Sequence, residues 1–388
     1  MKKDTLLVHS GRHPEDNFGI VNPPVYHAST VTFPTVEEYQ AKPKVPFEGV
    51  QYGRTGTPTT FAFEEAVTAF YGGHKTVATS SGAAAISVTM SAFLKSGDHA
   101  LVIDNVYAPT RTRVSDVLLA RAGVDVTYFD PAKPIGELLR PETKVVFIET
   151  PGSVTFEMID VAAVAAEAHA AGALVILDNT WGTALLFQPF EHGVDIVVEA
   201  ATKYIGGHAD IMLGLVTVQT PEHHFAVKST ANNMGNCPGP DDCYLGLRGL
   251  RTLSVRLERH QKNALQVAEW LRDRPEVDRV LYPALADDPG HDLWKRDFKG
   301  ASGLFGLILK PCSKDAVAAM LDNMELFAMG ASWGGYESLM IPTDPGKIRT
   351  ASEWSPAGPC LRLHIGLEDP DDLIADLEKG LARLTSTA

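Results

Sequence analysis

The stretch TVATSSGAAAISVTMSAFLKSGDHALVID, residues 76–104, decides the fold class. It opens on a short β-rich run, TVATS (76–80). Ser81 and Gly82 then lead into AAAISVTMSAFLKSG (83–97), a helical run stopped by Gly97. ALVID (100–104) follows as an apolar strand. Strand, helix and strand in this order predict a parallel unit, and the pattern continues outward. PTRTRVSDVLLARAG (109–123) reads as a helix with Pro109 at its start. VDVTYF and KVVFIET read as strands, and DVAAVAAEAHAAG (160–172) as a helix with an Asp cap and a Gly stop. ALVILDN (173–179) and VDIVVEAATK (194–203) read as two more strands. The strands are continuous apolar runs without alternation. That predicts an α/β fold whose mostly parallel sheet is covered by helices on both faces.

The flanks read differently. Residues 1–60 are rich in Pro, Gly and Thr and show no sustained period, as in an extended arm. After an α/β region over 61–248, a smaller α+β domain is expected over 249–388. It begins with a long cationic amphipathic helix at 248–273. Strand-like runs VDRVLYP and SGLFGLIL follow, then a helix near 314–323 and the loop MGASWGGYESL. The strand CLRLHIG and a closing helix complete it.

Composition excludes several function classes. The chain has 388 residues, with 34 Lys plus Arg against 48 Asp plus Glu, a formal charge of −14. Such a balance argues against nucleic acid or an anionic membrane as the main partner. No run of about 18 apolar residues offers a membrane span, and the N-terminus lacks the apolar core of a signal peptide. The expected location is cytoplasmic. Four cysteines are too few for a disulfide scaffold, and Cys237 and Cys243, which bracket PGPDD, read as two thiols near a turn, with no metal expected.

In a sheet of this kind ligands bind beyond the carboxyl ends of the strands. Asp178 and Lys203 are both placed there, and Ser80, Ser81 and Gly82 lie at a strand-to-helix turn. A helix N-terminus among small residues suits a phosphate. A buried aspartate can hold a pyridinium N–H. A lysine nearby can form a Schiff base with an aldehyde. Phosphate, pyridine nitrogen and aldehyde are the three handles of pyridoxal phosphate (PLP). Lys203 among small residues, with Gly206 and Gly207 giving a tight exit, fits a lysine that carries this cofactor. Each element alone also fits a cap, a turn residue or a solvated lysine. No G-x-G-x-x-G occurs, which sets a nicotinamide oxidoreductase aside.

The stretches SSGAAAI (80–86), DNVYAPT (104–110), ETPGS (149–153), LDNTW (177–181), ATKYIGGHAD (201–210), LRGLRTL (247–253), SWGGYESL (332–339) and RLHIGLED (362–369) carry a resemblance. Along nearly the whole chain, and in this order, they resemble the Cys/Met-metabolism family of PLP enzymes, above all its bacterial β-lyases. The resemblance implies the PLP-dependent transferase fold of type I. It also implies cleavage of a carbon–sulfur bond at the β-carbon of an amino-acid substrate, L-cystathionine, to homocysteine, pyruvate and ammonia. γ-Elimination, γ-replacement and a broader cysteine S-conjugate β-lyase remain the alternatives.

Residue by residue, the resemblance implies that Lys203 carries the cofactor and that Asp178 keeps its ring nitrogen protonated. Tyr107 stacks on the ring and takes part in catalysis. Gly82, Ala83 and Thr202 give donors to the phosphate. Tyr52 and Arg54 reach the phosphate of a neighbouring subunit's cofactor, so a dimer is the minimal unit and a tetramer of two dimers the expected assembly. Arg362 binds the substrate carboxylate, a task that suits a guanidinium fork, with Ser332 and Trp333 on the loop facing it. Three positions depart from the family pattern. Residue 200 is Ala where a phosphate-binding serine is common. Residue 331 is Ala where β-lyases often carry an aromatic and γ-acting relatives an acid. Residue 108 is Ala where methionine γ-lyases tend to carry cysteine.

Overall fold

The computed structural model describes residues 1–41 and 47–386. The part of the expected arm at 42–46, and the last two residues of the expected C-terminal domain, lie outside the described residues. Seven strands form the main sheet: β1 (Lys75–Thr79), β2 (His99–Ile103), β3 (Asp125–Phe129), β4 (Thr143–Glu149), β5 (Leu174–Asp178), β6 (Ile196–Glu199) and β7 (Gly214–Val218). Their order is β1-β7-β6-β5-β4-β2-β3. All neighbours run parallel except β7, which is antiparallel to both β1 and β6. Every residue of β2 and β7 is buried, as strands covered on both faces must be. Helices over Pro58–Tyr71, Gly82–Phe93, Val161–Ala170 and Pro221–Asn233 are the main ones flanking the sheet. A second sheet holds β8 (Val277–Leu281), β9 (Leu304–Leu309), β10 (Leu339–Thr343) and β11 (Cys360–His364), all antiparallel in the order β10-β11-β9-β8.

Local chemistry explains the helix ends. The hydroxyl of Ser81 accepts the Ala84 N–H at the start of Gly82–Phe93, and the Asp160 carboxylate accepts the Ala163 N–H at the start of Val161–Ala170. Gly172 then turns the chain out of that second helix at φ +76°, where a side chain would be strained.

Four local expectations need correction. The strand expected over 194–203 stops at Glu199, and residues 200–206 turn so that Thr202 can bond the backbone of Leu213. The helix expected over 109–123 is present over 108–121, but Thr110–Leu119 runs in wide π-type turns and not α-helical ones. The single helix expected at 248–273 is two, Pro240–Leu250 and Leu253–Arg272, with the break beside Gly249. A Cβ on Gly249 would lie 2.1 Å from the carbonyl oxygen of Ile205, so this helix end packs directly against the backbone after Lys203. The arm expected to be irregular contains the short helices Lys3–His9 and Val36–Gln40.

The two sheets are pinned to each other beside the site. Asp104, just past β2, accepts the N–H groups of Thr350, Ala351 and Ser352 at 3.1, 3.1 and 2.8 Å and also meets the Arg111 guanidinium. These bonds outweigh the cost of burial and hold the Asp104 carboxyl below its ordinary value. Arg349 reaches Glu157 at 2.5 Å in the same way. Among the described residues, no helix is long and apolar enough to cross a membrane.

Candidate active site

A cavity of about 340 Å³ opens where the two sheets meet, beyond the carboxyl ends of β4, β5 and β6. It is lined by Gly82, Ala83, Tyr107, Asp178, Lys203 and Arg362, among others. A larger cavity, about 630 Å³, lies against the far part of the second sheet and shares only Thr343 with it.

Asp178 ends β5 and is buried. Its Oδ1 accepts both the N–H of Thr180 at 3.0 Å and its hydroxyl at 2.5 Å. Its Oδ2 has no hydrogen bond among the described residues. Burial raises its pKa above the ordinary value, and the bonds from Thr180 and the charge of Lys203 offset this only in part. A buried carboxylate with one free oxygen facing a cavity wants a cation or a strong N–H donor.

Lys203 lies four residues past β6, in a turn held from below. Arg256 donates to the carbonyls of Tyr204 at 2.7 Å and Ile205 at 3.2 Å. Gly207 sits there at φ +73°, and a Cβ would strike the Arg256 guanidinium at 2.0 Å. The tight exit expected for Gly206 and Gly207 is therefore a packing requirement. Burial first, then the charge of Arg362, lower the Lys203 pKa to about 8, against the pull of Asp178. Its Nζ donates to Ser332 Oγ at 2.6 Å and lies 5.3 Å from the ring of Trp333.

Arg362, on β11, faces the cavity from the other sheet. Its Nη2 donates to the carbonyls of Gly330, Ala331 and Ser332 at 3.2, 3.2 and 3.0 Å. Nη1 and Nε have no partner among the described residues and remain for a ligand. Burial lowers its pKa from the ordinary value, and it stays a cation at neutral pH.

Tyr107 follows β2 and is partly exposed at the mouth. Its N–H donates to Glu149 Oε2 at 2.7 Å, and burial is the main cause that raises its phenol pKa. At the helix start Ser81 takes the Ala84 N–H, so the Gly82 and Ala83 N–H groups stay free at the cavity. A Cβ on Gly82 would lie 2.5 Å from the methyl of Ala200. Thr202 differs from expectation. Its hydroxyl already donates to the Leu213 carbonyl at 3.0 Å and accepts the Leu213 N–H at 2.9 Å. Tyr52 and Arg54 do not join the group. Tyr52 is exposed, and Arg54 bonds the Asn232 carbonyl at 2.7 Å. Cys243 is buried in the helix Pro240–Leu250 and Cys237 is exposed.

Three contributors carry no role in the sequence reading. Glu149 anchors the Tyr107 backbone, although ETPGS was in view. Thr180 holds Asp178 and, through its hydroxyl, accepts the Ala200 N–H at 2.9 Å. Its position two residues after Asp178 was the available signal. His364 is taken up below.

The donors match PLP handle by handle: free N–H groups for the phosphate, a buried carboxylate for the ring nitrogen, and a lysine of lowered pKa for the aldehyde. Fold and site together define a PLP-dependent enzyme of the type I fold. The chain belongs to the Cys/Met metabolism PLP-dependent enzymes, whose family pattern it matches over residues 4–382. It is 42% identical to the cystathionine β-lyase of Escherichia coli strain K12, covering 99% of both chains. It is 35% identical to the cystathionine γ-lyase of Bacillus subtilis strain 168, covering 99% of this chain and all of the relative. The solved structure of cystathionine γ-synthase from Xanthomonas oryzae pv. oryzae, in complex with cystathionine, superposes with a TM-score of 0.91 at 32% identity over the full length of both chains. The chain is thus a PLP-dependent lyase-family enzyme acting on amino acids of cysteine and methionine metabolism.

Proposed function

We propose that the enzyme cleaves the Cβ–S bond of L-cystathionine with water, giving homocysteine, pyruvate and ammonia. The observation that carries this choice is residue 331 at the cavity wall, which is Ala and not the acid that γ-acting relatives often carry. It also lacks the aromatic common in β-lyases, so it speaks against γ-chemistry and leaves the pocket there wider. The bacterial β-lyase at 42% identity supports it.

PLP, when bound, supplies an electron sink for negative charge at the substrate's α-carbon. Gly82 and Ala83 N–H groups hold its phosphate, and Asp178 holds a proton on its ring nitrogen. Thr202 joins the phosphate donors if its hydroxyl turns from Leu213. Lys203 carries the cofactor in the resting enzyme. Arg362 takes the substrate α-carboxylate on its free Nη1 and Nε, with Ser332 and Trp333 on the loop beside it. Tyr107 or a nearby base takes a proton from the substrate ammonium; Tyr107 can do so only as the phenolate, which its burial disfavours before a ligand is bound. Lys203 Nζ, with its lowered pKa, removes the α-proton and returns a proton to the departing sulfur. Tyr52 and Arg54 serve the cofactor phosphate of a neighbouring copy, with residues 1–60 as the arm that brings them there. The α/β domain over 61–248 and the smaller domain over 249–388 complete each copy of a cytoplasmic dimer or tetramer.

A second reading, a broad cysteine S-conjugate β-lyase, is favoured by the cavity wall. Ala108, Val154, Met212, Ala331 and Ile341 give the cavity an uncharged part of its lining, which suits an apolar S-substituent.

Purified PLP-loaded protein given L-cystathionine is expected to release pyruvate and homocysteine in equal amounts. Chromatographic identification of 2-oxobutyrate with cysteine instead would assign γ-cleavage. S-benzyl-cysteine turned over faster than cystathionine would favour the second reading.

A further inference from the structure

The loop Gly330–Gly335 hydrogen-bonds both Lys203 and Arg362. Ser332 Oγ accepts from Lys203, and the carbonyls of 330–332 hold Arg362 Nη2. Gly334, at φ +88°, lies so close to Lys203 that a Cβ would stand 2.9–3.0 Å from that residue's backbone. A shift of this loop would therefore move the lysine and the arginine relative to each other.

The front of the loop is held by Arg362. Its back is held by His364, two residues further along β11 and hence on the same face of the strand. The imidazole Nε2 lies 3.2 Å from the Gly334 nitrogen and 3.0 Å from the Gly335 carbonyl oxygen. His364 is fully buried, with ring centroids 5.2 Å from His260 and 6.0 Å from Tyr204. His260 is itself fixed by a 2.7 Å contact with the Ile365 carbonyl. The His364 Nδ1 is buried without a partner among the described residues. An apolar side chain would avoid that cost. The neutral ring makes one loop bond at a time, Nε2 accepting the Gly334 N–H or, in the other tautomer, donating to the Gly335 carbonyl, so its fitness rests on that bond. Burial keeps the imidazole neutral near pH 7, which leaves it a structural hydrogen-bonding part and not an acid or base.

We infer that His364 is a positioning residue: it fixes the loop Gly330–Gly335 and thereby sets Lys203 against the carboxylate fork of Arg362. The inference rests on the roles proposed above for Lys203 and Arg362. It needs no further group, since the ring works through Gly334 or Gly335 alone.

Two variants separate positioning from filling. His364→Leu keeps most of the volume and removes the polar contacts. His364→Gln can place an amide where Nε2 stood. The first readout is the split between KM and kcat for L-cystathionine. The second uses apo-protein: amine-selective acetylation of Lys203, mapped by mass spectrometry across pH, whose midpoint in the wild type is expected at about 8. In His364→Leu, KM rises about tenfold, the effect of losing one hydrogen bond, with a smaller change in kcat. The acetylation midpoint moves up toward the ordinary lysine value as water reaches Nζ. In His364→Gln both quantities stay within about threefold of wild type or its equivalent in pH.

A His364→Leu protein that matches wild type on both readouts overturns the inference, and so does a His364→Gln protein as impaired as His364→Leu. If His364→Leu does not fold, His364→Gln decides alone, retention supporting the inference and a tenfold loss overturning it. A wild-type Lys203 that acetylates with an ordinary midpoint would instead count against the proposed role of Lys203 itself.

Discussion

Lys203→Ala is expected to lose turnover by about 10⁴-fold or more, since one amine both carries the cofactor and moves two protons. The remaining anchors, the Gly82 and Ala83 N–H groups and Asp178, stay in place, so the variant still takes up PLP. Keto-acid release under saturating substrate measures the loss. A variant within tenfold of wild type would remove Lys203 from the centre of the site. The same burial has a stability signature in the apo-protein. Lys203 titrates at about 8 when folded, against 10.5 ordinarily. Between those values the unfolded chain binds the extra proton, so stability from this group rises with pH. Below about pH 8 the lysine is charged in both states and the full penalty stands, on the order of 3 kcal/mol. Apo Lys203→Met should thus unfold at higher denaturant than apo wild type at pH 7, with the gap narrowing toward pH 10.

Arg362→Ala is expected to lower kcat/KM by about 10²–10³-fold, the usual consequence of deleting one partner of a desolvated, hydrogen-bonded charge pair. Two effects add. The substrate carboxylate loses its fork, and the carbonyls of Gly330, Ala331 and Ser332 lose the donor that gathers them. Arg362→Lys should recover only part of the loss, because an ammonium cannot bond a carboxylate and three carbonyls with the same geometry. Steady-state kinetics decide the matter, with the cofactor's visible absorption confirming equal loading. A change under threefold for Arg362→Ala would show that the carboxylate binds elsewhere.

The fold class was legible because fully buried strands announce themselves as unbroken apolar runs. Strand direction was not. GLVTV, the run that forms β7, is not among the strands read from the sequence at all, and nothing in it marks the antiparallel pairing. The overlong reading of β6 has a similar cause. Ala200, Ala201 and Thr202 suit a strand, and only the distant Leu213 backbone turns them out of it. Lys203 and Asp178 were readable from chemistry, as strand-end groups beside a phosphate-binding turn, while Tyr107 and Arg362 enter only through the family resemblance; all four line one cavity. What escaped was the support. Ser332 lies 129 residues from the lysine it bonds, and His364 works only through a loop brought to it by the second sheet. Thr202 shows the reverse. Its type suited a phosphate donor, while the structure has its hydroxyl bonded to Leu213.

The most direct test of the account is to load the wild-type protein with PLP, reduce it with borohydride and map the modified peptide by mass spectrometry. The account predicts one phosphopyridoxyl group per chain, on Lys203 within ATKYIGGHAD. A label on another lysine, or none despite bound cofactor, would contradict it.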